Sequence, residues 1–411
     1  MAQDSRLRRL ALDLTPLRVS RDFRLVWIGL LITSSGSQFT LVAVFVQVTR
    51  LTGSEAAVGG TGLAWLAGLA VGSIAGATIL DAWDRRTLLI LAQVGLLAGV
   101  SVLVIGALAG DPPLGLIYCG LGVMGACSSI DSPTRSAMTT RLLGARLIPA
   151  AQVLNQVVWN TAALLGPAVA GLLIHRVGVT WAYAIDLLSV LAMLGAALSV
   201  RPMPPIEREH GDTGLRAIRE GFAFVRRSRL LMATFVIDLF AMVFGLPRAI
   251  FTFLAEPQVV GLLFSAPAMG ALLGALTSGW TRHVRRHGLA VIVAVVVWGI
   301  AIAAVGIGHD RVWFAVAMLA AAGWADVISA IYRTTILQVS VPDRLRGRLS
   351  GIHFLVVTGG PRLGDLEAGL VAAWVTPGFS VVSGGLACVA GAGLVALTYP
   401  ELRRYRAPAG A

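Results

Sequence analysis

Residues 58–80 read VGGTGLAWLAGLAVGSIAGATIL, an uncharged run long enough for a helix to cross a hydrocarbon core about 30 Å thick. Similar runs recur along the chain of 411 residues, of which 56% are hydrophobic and 13% are charged. So few charged side chains cannot cover the surface of a water-soluble protein of this size. The sequence therefore predicts an all-α protein that crosses a lipid bilayer many times.

Small residues spaced four apart within residues 58–80 recur in the second half of the chain, each displaced by 202 positions. The two copies are Gly68, Gly72 and Gly76, followed by Arg85 and Arg86, and Gly270, Gly274 and Ser278, followed by Arg285 and Arg286. Small residues at this spacing let helices pack closely in lipid, and they also suit helix surfaces that slide during transport. The repeat indicates two duplicated halves, which is typical of secondary transporters.

We predict twelve membrane helices arranged as two pseudo-symmetric six-helix bundles. The predicted spans are residues 25–48, 58–80, 88–109, 114–130, 148–174, 181–200, 230–254, 259–279, 289–308, 312–331, 349–375 and 381–398. Five segments follow from them: a basic N-terminal segment at 1–23, a first bundle at 24–200, a linker at 201–228, a second bundle at 229–399 and a tail at 400–411.

The basic residues of the chain are all arginines, 33 in number. The absence of lysine excludes a lysine-containing phosphate loop and a Schiff-base lysine, so we expect neither ATP-driven transport by this chain alone nor a bound cofactor. Arg50, Arg176 and Arg311 fall on one side of the predicted membrane, whereas nearly all other arginines fall on the side of the termini and the linker. This asymmetry predicts cytoplasmic termini and explains the net charge of +12 without a nucleic-acid partner.

Ionisable residues within or next to the spans are candidates for function, because each costs roughly 2.5–3.5 kcal/mol at the centre of a membrane helix. Asp131 and Arg135 are spaced to pair along one helix face, which predicts a structural ion pair. The other such residues are Asp186, Asp238, Arg248, Asp326, Arg333, Arg362, Asp365 and Glu367. Four carboxylates among them, Glu367, Asp365, Asp326 and Asp238, are the candidates for proton coupling.

Glu367 differs from its neighbours because it has no local partner. Arg362 and Asp365 are three residues apart and can pair, whereas Glu367 is turned away from them on a helix. A carboxyl held away from water can bind and release protons near neutral pH, as a proton-coupled carrier requires. Alternatively, Glu367 meets a basic group of another helix and only holds the bundle together.

Polar side chains at membrane depth indicate an aqueous cavity, because lipid does not accept them. The candidates for its lining are Ser34, Ser37 and Gln38 in the first span, Asn155, Trp159 and Asn160 in the fifth, and the basic residues Arg248 and Arg362. Hydrogen bonds between helices explain the same polar residues nearly as well. His283 and His287 have the spacing of a metal pair, but their loop holds arginines and no carboxylate, so we expect no metal site.

The hairpin after the second span resembles a signature of the major facilitator superfamily. Residues 76–86 read GATILDAWDRR, in which Asp81, Arg85 and Arg86 are in register with the signature and Ala77, Ala82 and Asp84 depart from it. Gly166 and Pro167 resemble the antiporter signature of the superfamily, and such a pair also makes a helix deformable. Residues 274–279 (GALTSG), 341–348 (VPDRLRGR) and 400–406 (PELRRYR) resemble its siderophore-exporter branch.

This resemblance covers essentially the whole chain and implies a secondary transporter that works by alternating access, as a proton-coupled exporter of a siderophore or a similar bulky amphipathic molecule. It implies a role as a conformational latch for the loop of Asp81. The candidates for conformational switching are Asp81, Arg85, Arg86, Asp131, Arg135, Gly166, Pro167 and Arg333. We expect a monomer in the plasma membrane without enzymatic activity, with a small molecule, protons and the lipid bilayer as its partners. The alternatives are a multidrug efflux antiporter, an importer and, from another class, a membrane-embedded enzyme or a non-transporting receptor.

Overall fold

The computed structural model describes residues 12–79, 83–204, 222–341 and 343–406. Within these ranges the chain forms twelve long helices and no strand. They are α1 (Arg21–Thr52), α2 (Glu55–Ile79), α3 (Arg85–Leu108), α4 (Leu114–Gly144), α5 (Arg146–Val177), α6 (Val179–Ser199), α7 (Arg229–Leu254), α8 (Pro257–Leu276), α9 (His287–Ile307), α10 (Val312–Ser340), α11 (Asp343–Trp374) and α12 (Pro377–Thr398). The prediction of an all-α membrane fold with twelve helices is confirmed.

Eleven of these helices in the described ranges are long and apolar enough to cross a membrane. The remaining one, α11, has the required length, but Arg362, Asp365 and Glu367 interrupt its apolar character. The side chain of Asp365 is nevertheless fully buried among the other helices. Helix α11 therefore completes the bundle and brings charged groups into its interior.

The helices alternate in direction, so the bundle has two ends. The linker end is where α6 finishes at Ser199 and α7 starts at Arg229. The short helices Thr15–Val19 and Pro400–Arg404 lie at the same end. The far end is where α1 passes into α2.

Two helices extend beyond the spans that hydrophobicity predicts. Helix α4 continues to Gly144, and α10 continues to Ser340, so that Arg333, expected just past its span, lies inside the helix. Arg333 is tolerated inside α10 because it forms an ion pair with Asp238 of α7. Gly144 ends α4 with a φ of 64°, a backbone conformation that glycine adopts without strain.

Helix α7 is not the continuous helix that the sequence predicts over 230–254. Its regular part ends at Phe244, because Pro247 lacks an N–H and its ring obstructs a continuing helix. A 3₁₀ turn follows at Arg248–Ile250. The indole N–H of Trp298 donates to the carbonyl of Gly245 at 2.7 Å, so this carbonyl has a partner at the break. The break places the first residue of the turn beside α11.

The repeated glycines pack helices together within each half. Gly68 of α2 lies against the carbonyl of Gly122 on α4, too close to leave room for a side chain. Gly270 of α8 lies in the same way against the carbonyl of Ala320 on α10. The repeat therefore builds the same helix contact in both halves, and the surfaces between the halves are formed by other residues.

The two halves meet through α2 against α11 and through α5 against α8. Gly59 of α2 packs on the backbone of Asp365, and Gly261 of α8 packs on the backbone of Pro167. The hydroxyl oxygens of Thr49 and Thr252 lie 2.7 Å apart between α1 and α7. All of these contacts lie towards the far end, where the halves are closed against each other.

Candidate functional site

A cavity of about 530 Å³ lies between the two halves. The first half lines it with α1 to α6, and the second half lines it with α7, α8 and α11. The predicted residues in its lining are Ser34, Ser37, Gln38, Asp131, Arg135, Trp159, Pro167, Arg248 and Arg362. Its surface also includes the aromatic rings of Phe45, Trp65, Phe251 and Phe264. The cavity therefore combines charged groups with apolar ring faces.

Asp131 and Arg135 form the ion pair that their spacing predicts. Arg135 Nη2 lies 2.6 Å from Asp131 Oδ2, and the side-chain amide of Gln93 on α3 donates to Asp131 Oδ1 at 2.8 Å. The arginine and aspartate side chains are only 15% and 8% exposed. Both carboxylate oxygens thus have a donor, which suits a structural ion pair in the cavity wall.

Asp186 is a second acidic group in the wall of the first half. Its Oδ2 accepts a hydrogen bond from the hydroxyl of Thr40 at 2.5 Å, and its Oδ1 lies 3.0 Å from Ser189 Oγ. Asp186 is only 2% exposed and forms no ion pair with any residue that the structure describes. Two hydroxyl groups are its side-chain partners, so this carboxyl has no fixed positive charge beside it.

Arg248, Arg362 and Asp365 form the charged group of the second half. Arg248 Nη2 lies 3.3 Å from Asp365 Oδ2, and Arg362 Nη1 lies 3.8 Å from the same oxygen. The guanidinium group of Arg362 also lies 4.8 Å from the ring centroid of Trp65 on α2, a cation–π contact between the two halves. Because two arginines share one carboxylate, this group keeps a net positive charge at the cavity wall.

A second charged cluster lies inside the second half and does not line the cavity. Arg333 pairs with Asp238 of α7, and its Nη2 lies 3.5 Å from Asp326 Oδ1 on its own helix. His353 Nε2 of α11 lies 3.6 Å from Asp238 Oδ2. The structure thus brings together three of the predicted residues, one from α7 and two from α10, and adds a histidine to them.

Glu367 lies on a different face of α11 from Asp365. It shares a stripe with Leu363, Leu370 and Trp374, whose side chains are 41%, 41% and 84% exposed. Glu367 is half-buried and forms no hydrogen bond or ion pair with the described part of the chain. The structure therefore places it outside the cavity lining and apart from Arg362.

On α5 the structure separates the predicted polar residues. Trp159 and Pro167 face the cavity along one stripe of the helix. Asn155 lies one turn nearer the linker end and is not part of the lining. Asn160 accepts a hydrogen bond from the amide of Gln156 at 2.9 Å and is also outside the lining.

The Gly166–Pro167 pair lies where α5 meets two other helices. The Cα of Gly166 packs against the side chain of Gln38 on α1, and the carbonyl of Pro167 packs against Gly261 on α8. The one deformable point that the sequence indicates in α5 thus lies at a contact between the two halves.

A family model described as "transmembrane secretion effector" matches residues 11–407. The chain belongs to this family of the major facilitator superfamily. Its relatives include the enterobactin exporter EntS of Citrobacter koseri, which is 30% identical over 97% of this chain and 96% of that protein. The enterobactin exporter EntS of Escherichia coli (strain SMS-3-5) is 29% identical over 96% of both chains.

Solved structures of transporters share the fold. A bacterial homologue of the human lysosomal transporter Spinster, in an inward-facing and unoccupied conformation, has a TM-score of 0.68 at 16% identity and covers 94% of this chain and 99% of its own. A POT family transporter in complex with 5-aminolevulinic acid has a TM-score of 0.72 at 12% identity, with coverages of 93% and 97%. Fold and family together make this secretion effector a multi-pass membrane transporter for a small-molecule substrate.

Residues 80–82 of the superfamily signature between α2 and α3, which include Asp81, lie outside the described residues. Arg85 begins α3, and its backbone N–H donates to the carbonyl of Met203 at 3.0 Å. The side chain of Arg86 donates to the carbonyl of Leu198, at the end of α6, at 2.6 Å. This part of the signature thus ties the start of α3 to the end of the first half.

Sequence reasoning missed Gln93, Trp65 and His353, and it identified Asp186 only as an ionisable residue in a span. Gln93 has a signal, since it is a lone amide in the apolar run of α3. Trp65 has none, because its role depends on which arginine the other half brings to its ring. Tertiary placement, rather than residue type, decides these contacts.

Proposed function

We propose that this chain exports a siderophore, or a similarly bulky amphipathic molecule, across the plasma membrane by proton-coupled alternating access. Its relatives include enterobactin exporters, which supports this substrate class. The observation that carries the proposal is the cavity between the halves, in which arginines and aromatic rings surround one shared volume.

The chemistry of the cavity suits a ligand with acidic or hydroxyl groups on an apolar framework. Arg248 and Arg362 share Asp365, so positive charge is left for a ligand. Guanidinium groups bind anionic oxygens and also stack on rings. Phe45 and Phe264, with ring centroids 5.6 Å apart, add an apolar face. A siderophore carries oxygen donors for iron, and such groups match arginine partners.

The contacts between the halves support alternating access. Gly59 and Gly261 bring the helices of the two halves together at the far end, so we propose that the cavity exchanges substrate at the linker end in this state. Export then requires these far-end contacts to separate while the halves approach each other at the linker end.

We place proton coupling first on Asp365. A proton bound by this buried carboxylate weakens its attraction for Arg248 and Arg362, so protonation changes both the charge of the cavity and the tie between α7 and α11. Asp238 and Asp326 around Arg333 form a second candidate group, and Glu367 on the outer stripe of α11 is the third.

The sidedness follows from the arginines. They concentrate at the linker end, so we propose that both termini and the linker are cytoplasmic. We propose a monomer as the working unit, without enzymatic activity and without a nucleic-acid partner. We also propose that residues 24–200 and 229–399 form the two six-helix bundles.

The substrate is tested in inverted vesicles from cells that lack their own siderophore exporter. Vesicles that contain this chain should accumulate enterobactin when a pH gradient is imposed, and a protonophore should abolish the accumulation. Arg362→Gln should lower uptake at least about tenfold, the loss of one interaction worth about 1.4 kcal/mol. Arg311→Gln, at an exposed position near the far end, is the matched control. No uptake by folded wild-type protein contradicts the proposed substrate.

The coupling residue is tested in the same vesicles. Asp365→Asn should abolish gradient-driven uptake and leave exchange of substrate across the membrane intact. Glu367→Gln, measured beside it, should retain gradient-driven uptake if Asp365 is the site. Retained gradient-driven uptake in Asp365→Asn rejects that role for Asp365.

A multidrug efflux antiporter is the second candidate, favoured by the ring-rich lining of the cavity. Such a carrier should transport several unrelated amphipathic cations in the vesicle assay. Uptake of these cations without uptake of enterobactin would select this function over siderophore export.

A further inference from the structure

A groove of about 420 Å³ lies on the second half at the linker end, separate from the transport cavity. It is found where the 3₁₀ segment Ser278–His283 leads from α8 to α9, beside α10. Its lining includes Arg285, Arg286, Trp280, Trp324, Val293 and Val297. We propose that this groove binds an anionic phospholipid, with the phosphate on the two arginines and an acyl chain along α9.

The arginines at the mouth of the groove have no partner in the described residues. Arg285 and Arg286 are exposed, and their side chains form no hydrogen bond or ion pair there. Arg282, a turn earlier, is also exposed and unpaired within the described ranges. Three neighbouring positive charges repel each other, and an anionic headgroup removes this repulsion while it supplies acceptors.

The wall below these arginines is apolar and faces outwards. Val293, Val297 and Ile300 follow one another along one face of α9 and are 52%, 38% and 56% exposed. They continue from the arginines towards the middle of the bundle, in the direction that an acyl chain takes from its headgroup. A free phosphate ion would make no use of this apolar wall, so the groove suits a lipid.

Two tryptophans mark the level of the membrane interface in the groove. The rings of Trp280 and Trp324 are stacked with centroids 6.3 Å apart and an angle of 22° between their planes. The indole N–H of Trp324 donates to Thr277 Oγ1 at 3.1 Å, which fixes the ring. Tryptophan favours the headgroup region of a bilayer, so the arginines beside it lie at the depth of lipid phosphates.

In the described part of the corresponding loop of the first half, Arg86 and Asp84 have partners within the protein. The side chain of Arg86 donates to the carbonyl of Leu198 at 2.6 Å. Asp84 caps α3, because its carboxylate accepts from the backbone N–H of Thr87 at 3.0 Å. In the first half, groups of the protein itself therefore bind the arginine side chain and cap the first turn of α3.

In the second half, the arginine side chains of the corresponding loop make no such contacts with the described residues. The carbonyl of Thr398, at the end of α12, instead accepts a hydrogen bond at 2.8 Å from Arg229 of α7. Arg286 is the residue before α9, and it provides no side-chain cap for the N–H groups of that helix. Within the described part of the duplicated loop, the halves thus differ in that the arginines of the second half are available to an external anion.

The proposal is tested with purified full-length protein in detergent. Native mass spectrometry and lipid titration of the melting temperature would compare phosphatidylglycerol with zwitterionic phosphatidylcholine. Wild-type protein should bind phosphatidylglycerol preferentially, and Arg285→Gln with Arg286→Gln should raise the half-saturating concentration about thirtyfold, equivalent to about 1 kcal/mol for each arginine. The charge-conserving Arg285→Lys with Arg286→Lys should retain most of the binding and shows whether the site still folds.

Two further variants separate a groove from general attraction to positive charge. Arg226→Gln with Arg227→Gln removes two exposed arginines at the same end of the bundle but outside the groove, and should bind as wild type does. Val293→Trp keeps the charge but fills the apolar wall, and should weaken binding. Glycerol phosphate, a headgroup without chains, should not compete at lipid-saturating concentrations. Equal losses in both arginine pairs, equal binding of the two lipids, or full competition by glycerol phosphate would overturn the proposal.

Discussion

Arg248 Nη2 lies 3.3 Å from Asp365 Oδ2, and this ion pair ties the broken end of α7 to α11 at the wall of the transport cavity. The carboxylate is fully buried, and Arg362 approaches the same oxygen to 3.8 Å. Because both arginines pair with this one buried carboxylate, removal of any of the three charged groups changes the energy of the other two.

Arg248→Gln should therefore lower the free energy of unfolding by about 2 kcal/mol, less than the loss of a sole buried partner, because Asp365 keeps Arg362. In the double variant with Asp365→Asn, the loss should be smaller than the sum of the two single losses, since both groups of the pair are then absent. Denaturant unfolding of the wild type, both single variants and the double variant measures the coupling. Strictly additive losses would mean that the two side chains do not interact in the folded protein.

The fold was predictable from the sequence because the bilayer imposes one length on every span. The twelve apolar runs and the repeated glycines give the number of helices and the duplication. The break in α7 was not predictable, because a proline in a membrane helix is compatible with a kinked helix as well as with an interrupted one. In the structure the regular helix ends at Phe244, and the carbonyl of Gly245 accepts a hydrogen bond from Trp298 on another helix, a contact that no sequence pattern specifies.

The site was predictable residue by residue but not pair by pair. Asp131 and Arg135 pair as expected because both lie on one helix, four residues apart. Arg333 instead pairs with Asp238 on another helix, and no pattern in the sequence specifies that contact. Asp186 received no role because its partners are hydroxyl groups, which are too frequent in membrane helices to be informative.

Asp131→Asn should reduce the yield of folded protein more than it alters selectivity. Arg135 would then remain largely buried without a charged partner, which costs about 3–5 kcal/mol. Gln93→Leu is the matched control, since it removes one neutral donor and leaves the ion pair, at a cost of about 1 kcal/mol. Size-exclusion yield and relative uptake of two substrates are the measurements. A normal yield with altered selectivity would assign Asp131 to substrate binding.

Asp186→Asn should leave the free energy of unfolding within about 1 kcal/mol of the wild type, because the hydroxyl of Thr40 can still donate to the amide oxygen. Asp186→Leu should cost about 1–3 kcal/mol, since that hydroxyl is left buried and unpaired. Adding Thr40→Val to Asp186→Leu should restore much of the loss. If Asp186→Asn instead folds normally and loses transport, the carboxyl takes part in the transport cycle itself.

Gly261 and Gly270 lie on the same helix, α8, but Gly261 contacts the other half and Gly270 contacts its own half. Variants at the two positions therefore distinguish contacts between the halves from contacts within one half. Gly261→Ala adds a methyl group where α8 meets the backbone of Pro167 in the first half. Gly270→Ala adds the same group where α8 meets the backbone of Ala320 in its own half. Each methyl group meets backbone that must move, but only the first can be relieved by separating the halves.

Gly261→Ala should therefore loosen the closed far end with little loss of stability, whereas Gly270→Ala should lower the free energy of unfolding by about 1–3 kcal/mol. Spin labels at the exposed residues Arg50 and Glu256, on opposite halves at the far end, report the separation. The distance between them should lengthen in Gly261→Ala and stay at the wild-type value in Gly270→Ala. If the labels do not move in Gly261→Ala and both variants lose stability alike, then α5 and α8 hold the halves together rigidly, and the far end does not open by parting these two helices.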